Sequence, residues 1–194
     1  MSKPKFAMYW AAACGGCEIA VLQIKEKILD VGENFEIAFW PCAADFKYKD
    51  VEALEDGEIL LTLYNGAVRH SENEYLAHLL RRKSKVLVAF GACATQGGIP
   101  GLANVSNAQE IKELVYLKNP SVDNPDKVFP QERLEVAEGE LDLPHMYDTV
   151  EALDQVVDVD YYLPGCAPPP DLILDAVTAI LEGNLPEKGP VLAP

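Results

Sequence analysis

The sequence predicts an α/β protein built on a mostly parallel sheet. Two observations carry that prediction. Short apolar runs that read as buried strands alternate with segments whose apolar residues recur at helical spacing. Four of the five cysteines fall in glycine- or proline-marked turns that directly follow three of those runs.

Each element has a local warrant. Residues 6–10 are apolar and aromatic and form the first strand, followed by the turn Cys14-Gly-Gly-Cys17. Val21, Ile24, Ile28 and Val31 then keep helical spacing up to Gly32, which reads as the stop. Residues 35–40 and 59–64 are the second and third strands, the latter closed by Asn65-Gly66. Ser71 and Glu74 read as a capping box for a helix that carries Leu76, Leu79 and Leu80. Residues 86–90 form the fourth strand and run into Gly91-Ala-Cys93; 108–115 form a short helix. From 117 to about 150, Asn-Pro pairs, Pro130, Gly139 and Pro144 punctuate an acidic stretch, expected to be an excursion over the surface. Residues 156–163 are the fifth strand, ending at Pro164-Gly165-Cys166. Pro168, Pro169 and Pro170 then open a last helix with Ile173, Val177 and Ile180 on one face and Gly183 as its stop.

At 194 residues the chain fits one domain, expected to span 1–184, with 185–194 as a tail. That length buries a core without disulfides, so the cysteines are not needed as staples. The net charge of −15 argues against a nucleic-acid partner, which needs clustered Lys and Arg. No apolar run approaches the roughly 20 residues of a membrane span. Met-Ser-Lys-Pro-Lys leads directly into the first strand, with no signal-peptide core and no twin arginine. The expected place is the cytoplasm, where clustered thiols bind metal or do redox work.

In parallel sheets, ligands bind outside the carboxyl ends of the strands. The cysteine turns follow the first, fourth and fifth strands, so Cys14, Cys17, Cys93 and Cys166 should meet on one edge. Four thiolates at one point suit an iron–sulfur cluster or a zinc ion. A thioredoxin-like reading leaves Cys93 and Cys166 unused. Structural zinc usually takes two close pairs, whereas here there is one pair and two distant singles. That spacing favours a cluster assembled by a finished fold, with zinc as the rival.

Gly15, Gly16, Gly91 and Gly165 allow close backbone approach, and their N–H groups can reach cluster sulfurs. Cys42 has no glycine partner and reads as an inert buried thiol. Glu18 reads as a first-turn acid, with a proton-carrying role as the alternative. His70, His78 and His145 are scattered, with His78 facing solvent, and none is assigned to metal. There is no Ser–His–Asp set, no Walker loop and no Gly-x-Gly-x-x-Gly after the first strand. No catalytic residue is assigned, and neither nucleotide binding nor acid–base chemistry is expected of this chain alone.

Taken together, Cys14-Gly-Gly-Cys17, Gly91-Ala-Cys93-Ala, Gly97-Gly-Ile-Pro-Gly-Leu-Ala-Asn104 and Leu163-Pro-Gly-Cys166-Ala-Pro-Pro169 resemble the small subunit of [NiFe] hydrogenases. The wider family includes the 20 kDa cluster-bearing subunit of NADH:ubiquinone oxidoreductase (respiratory complex I). The motifs, with the stretch 66–73, are most similar to the cytoplasmic group: the methyl-viologen-reducing type found with heterodisulfide reductase, and the NAD-coupled type. The resemblance implies a flavodoxin-like fold, one proximal [4Fe-4S] cluster on Cys14, Cys17, Cys93 and Cys166, and a large partner subunit with the nickel–iron site. It further implies electron transfer to other iron–sulfur or flavin subunits, so that the chain serves an oxidoreductase without being catalytic alone. The related alternative is the same relay in a complex that does not turn over dihydrogen. Three departures stand out. The chain stops at Pro194 without the further cysteines of many members, so a single cluster is expected unless it is part of a longer product. Ala13 stands where many uptake hydrogenases carry a glutamate implicated in proton transfer. The last motif reads Cys-Ala-Pro-Pro where Cys-Pro-Pro is usual.

Overall fold

The computed structural model describes residues 3–185. The chain opens with β1 (Lys5–Trp10), α1 (Gly16–Leu22), a single 3-10 turn, α2 (Ile28–Asn34) and β2 (Glu36–Phe39). It continues through α3 (Tyr48–Glu52), β3 (Ile59–Asn65), the short β4 (Val68–His70), α4 (Ser71–Lys83), β5 (Ser84–Phe90) and α5 (Gly91–Gln96). After a 3-10 segment come α6 (Ala108–Glu113), β6 (Arg133–Val136), β7 (Gly139–Asp142), β8 (Met146–Glu151), β9 (Tyr161–Leu163) and α7 (Pro170–Glu182).

Five strands form one sheet in the order β2-β1-β3-β5-β9, with every neighbouring pair parallel. Taken in chain order these are second, first, third, fourth and fifth, the flavodoxin-like winding. The order reverses between β1 and β3, which opens a crevice at their carboxyl ends.

The strands are apolar on both faces because helices cover both. Phe6, Met8, Leu61, Leu63, Val86 and Val88 point to one side and pack with Ile173, Val177 and Ile180 of α7 and Val21 of α1. Ala7, Tyr9, Tyr64, Leu87 and Ala89 point to the other and meet Val51 of α3 and Leu76 and Leu80 of α4. This alternation is the two-residue period of a strand. Each fully buried Leu or Phe contributes about 1.5–3 kcal/mol relative to exposure.

Several expectations need correction. The helix after Cys17 is not continuous: Lys25 takes a left-handed backbone (φ 60), which ends α1 as a regular helix and separates it from α2. Gly32 lies inside α2, which stops only where the buried Phe35 turns extended to enter β2. The cap of α4 is His70, not Ser71: its Nδ1 accepts from the Asn73 amide at 3.3 Å. The fifth strand shrinks to β9, because residues 153–155 form a 3-10 turn and the Asp160 carboxylate takes the Leu87 amide that a longer strand would have paired. Arg81 holds that carboxylate at 2.6 Å.

The excursion is more regular than its punctuation implies. β6 and β7 form an exposed antiparallel hairpin, and β8 pairs antiparallel with β4. The last helix and its stop match expectation, with Gly183 at φ 71. The expected tail, residues 185–194, lies outside the described residues apart from Leu185. Among the described residues no helix is long and apolar enough to cross a membrane.

Candidate metal centre

The cysteine turns follow β1, β5 and β9 at the carboxyl edge of the sheet. The loop after β1 is stitched to the exit of β3 by Ala11 N–H donating to Asn65 O at 2.7 Å and by the bridge Ala12–Ala67. That contact is close enough to need a glycine: a Cβ on Gly66 would sit 2.8 Å from the Ala11 carbonyl carbon. Trp10 Nε1 donates to Ala13 O at 3.0 Å and fixes the approach to Cys14. Cys14 is exposed, and its sulfur accepts from the Gly16 amide at 3.4 Å. Cys17 follows in the first turn of α1 and is buried.

The other two thiols come from the neighbouring strands. Gly91 turns β5 sharply into α5 with φ 81, and Cys93 lies buried on that helix. A Cβ on Gly91 would lie 2.4 Å from Cys17 Sγ. The turn after β9 is tied to the same helix by Ala92 N–H donating to Gly165 O at 2.8 Å, and Cys166 follows, exposed.

All four thiols share one electrostatic neighbourhood. Burial pushes the Cys17 thiol up to about 12, and Cys93, Cys14, Cys166 and Glu18 push it the same way. Cys93 is also raised, by burial first and by Cys14 and Cys166, while the Ile99 amide opposes the rise. Without a cation these groups resist ionisation; a bound metal core reverses that balance by supplying the missing positive charge. The structure thus places Cys14, Cys17, Cys93 and Cys166 near enough for their charges to act on one another.

A single tetrahedral ion holds sulfurs about 2.3 Å from one point. Among the described residues no group of three or more His, Cys, Asp or Glu is arranged to hold one metal ion. Cys14, Cys17, Cys93 and Cys166 are the residues at this edge that could hold a metal or a cluster, with Gly91 in contact with the Cys17 sulfur.

The remaining candidates fall outside the thiol group. Cys42 is exposed, not buried, because Trp40 fills the core and the following turn faces outward. Its thiol is raised by partial burial and by Glu18. His70 caps α4, His78 is exposed beside Glu74, and His145 pairs with Glu132.

Glu18 is not a plain first-turn acid. It is buried, and its Oε2 accepts from Trp40 Nε1 at 2.6 Å. Burial raises its carboxyl, while Trp40 and the nearby Asn65 moderate the rise. Asn65 sits near it without hydrogen-bond geometry: Glu18 Oε1 and both polar atoms of the Asn65 side chain are buried without a hydrogen-bond partner. Neither Asn65 nor Trp40 belongs to a motif that marks it for this role. The available signal is a polar residue ending an otherwise apolar strand at the thiol edge.

A parallel sheet wound in this order, with four thiols on the turns at its carboxyl edge, defines a flavodoxin-like domain with a cysteine-bearing edge. The chain belongs to the family described as NADH ubiquinone oxidoreductase, 20 Kd subunit, whose model matches residues 14–180. The iron-sulfur subunit of the F420-non-reducing hydrogenase of Archaeoglobus profundus is 48% identical over 186 residues, covering 95% of this chain and 58% of that protein. Thus the chain spans little more than half the length of that relative. The NAD-reducing hydrogenase HoxS subunit delta of Cupriavidus necator is 26% identical over 184 residues, 94% of this chain and 80% of that one. Among solved structures, a chain of an NAD+-reducing [NiFe]-hydrogenase in the H2-reduced state superposes with a TM-score of 0.80 at 29% identity, over 96% of this chain and 95% of that chain.

Proposed function

We propose that this chain is an electron-transfer subunit of a cytoplasmic [NiFe] hydrogenase complex, carrying one [4Fe-4S] cluster on Cys14, Cys17, Cys93 and Cys166. The observation that carries the reading is the placing of those thiols at the carboxyl edge of the sheet, on turns held by backbone hydrogen bonds to their neighbours. Hydrogenase subunits among the relatives support the setting.

The cluster, when bound, supplies a one-electron centre whose potential depends on burial and on hydrogen bonds to its sulfurs. The chain's own residues supply the rest. Cys17 and Cys93, both buried, and Cys14 and Cys166, both exposed, would be the cluster's four ligands. Gly91 leaves room beside Cys17, and the Gly16 amide donates to the Cys14 sulfur. Exposure of two of the four ligands leaves a face through which a partner's redox centre can come near. That partner is a large subunit bearing the nickel–iron site, with iron–sulfur or flavin subunits of heterodisulfide-reductase or NAD-coupled type taking the electrons onward.

The family description itself favours one further reading, the same relay in a complex that does not use dihydrogen. Purifying the native complex and measuring its subunits and metals separates the two. Nickel together with dihydrogen-dependent reduction of a viologen dye supports the hydrogenase. A stable complex without nickel and without that activity supports the alternative.

A further inference from the structure

A cavity of about 280 Å³ lies between β4, α6 and the stem of the β6–β7 hairpin, lined among others by Arg69, His70, Lys112, Tyr116, Leu143 and Met146. It is below the about 300–1,000 Å³ of pockets that enclose a drug-sized ligand, and suits a side chain better than a cofactor.

Its charges are unbalanced. Arg81, Arg82 and Arg133 each make an ion pair, to Asp160, to Asp56, and to Glu140 and Asp142. Arg69 makes none among the described residues, and burial alone lowers its pKa, so water has been removed from the guanidinium without an acid replacing it. Lys112 likewise makes no ion pair among the described residues. His70 accepts the Asn73 amide at Nδ1, which leaves Nε2–H as a further donor. One acid, Glu132, lines the cavity, and its carboxylate is engaged by His145. A chain of net charge −15 therefore holds, around this hollow, Arg69 without an ion pair among the described residues and Lys112 whose charge acts on Glu132 without pairing with it. A half-buried guanidinium favours a bidentate carboxylate partner.

The cavity is tied to the thiol edge through the chain: Arg69 lies two residues after Ala67, which bridges Ala12 in the loop that carries Cys14. The 3-10 segment Pro100–Val105 follows the Cys93 helix and is fastened to β8 by Asn104, which bonds the Val150 amide at 2.7 Å and its carbonyl at 2.9 Å. Leu102 and Val105 of that segment and Leu114 and Leu117 just after α6 are exposed, Val105 by 90%. Exposed apolar side chains on the elements beside a basic hollow match a partner segment that is apolar and carries an acid.

We propose that the cavity seats an Asp or Glu side chain of the large subunit that covers the thiol edge, anchored by Arg69 and Lys112. This rests on the reading of that edge as the interface with a catalytic subunit.

The test uses the co-expressed complex. Carbodiimide treatment, followed by peptide mass mapping, should join Lys112 to an acidic residue of the large subunit. Arg69→Gln should weaken subunit association at least tenfold, with Arg69→Lys intermediate, while the variant chain keeps its iron content and circular dichroism. Should Arg69→Gln misfold, Lys112→Gln and the cross-link carry the test. Lys112 joined only to Glu132, together with unchanged association of the variants, would overturn the inference and leave the subunit role standing. A wild-type chain that binds no large subunit would defeat both.

Discussion

Gly91 and Cys17 are in contact across two strands: a methyl group on Gly91 would stand 2.4 Å from the Cys17 sulfur. The pair links the ends of β1 and β5, whose strands are separated by β3 in the sheet. The turn at Gly91 also has φ 81, where a side chain costs about 1–2 kcal/mol. Gly91→Ala is therefore expected to lose more than half of the bound iron while keeping its far-UV circular dichroism. Gly32→Ala is the control: it sits inside α2 with nothing within 4 Å of an added Cβ. It should keep its iron and gain about 0.5–1 kcal/mol of stability. Iron analysis and urea unfolding of both variants decide the matter, and equal iron in the two would remove Gly91 from the site.

The cysteines should separate by role. Cys93→Ser is expected to lose or convert the cluster, since Cys93 lies within the shared thiol neighbourhood. Cys42→Ser should leave the spectrum and potential nearly unchanged, because Cys42 is exposed and outside that group. Electron paramagnetic resonance of the reduced variants tells them apart. A comparable loss of signal in both would sink the assignment.

High pH should unfold the chain from within. Burial raises Tyr9 to about 12 and the fully buried Tyr64 well above its usual value. Unfolded tyrosines release their protons near pH 10, so above that pH the folded chain holds more protons than the unfolded one, and stability falls as pH rises. Tyr9 alone accounts for a loss of about 2 kcal/mol by pH 12. Urea midpoints at pH 8, 10 and 11 should decline only above 10; a flat series would show that these hydroxyls reach water.

His70 gives the opposite limb. Burial, with help from Arg69, lowers its pKa below 6.5, although Glu72 opposes this. Its stabilisation is complete above 6.5 and is lost as pH falls through the folded value, because a protonated Nδ1 can no longer accept the Asn73 amide. His70→Asn keeps a capping acceptor and should flatten the stability profile between pH 7 and 5. His70→Ala should cost about 0.5–2 kcal/mol at pH 7, as cap removals do. An unchanged acid limb in His70→Asn would assign that limb to other groups.

Strand periodicity made the first, third and fourth strands and the last helix legible, since each combines a buried apolar run with a glycine or proline stop. The placing of the cysteine turns at one edge of the sheet followed from one rule about strand ends. What stayed hidden is non-local or atypical. The β4–β8 ladder joins residues 68–70 to 146–151, and no local signal announces such a pairing. The left-handed backbone at Lys25 interrupts an unbroken helical pattern, and a histidine does the work expected of Ser71. Asp160 delays the start of the fifth strand by side-chain pairing, which a run of strand-forming residues conceals. Trp40, Glu18 and Asn65 come together from three separate segments, so their buried contact is a property of the finished fold.

The central claim is that Cys14, Cys17, Cys93 and Cys166 hold one [4Fe-4S] cluster, and metal analysis of the anaerobically purified chain tests it most directly. Iron, acid-labile sulfide and zinc are measured per folded chain, with Mössbauer spectra of the same sample. The account predicts four irons, four sulfides and no zinc, on a brown protein. One zinc on a colourless protein, or one iron without sulfide, would contradict it.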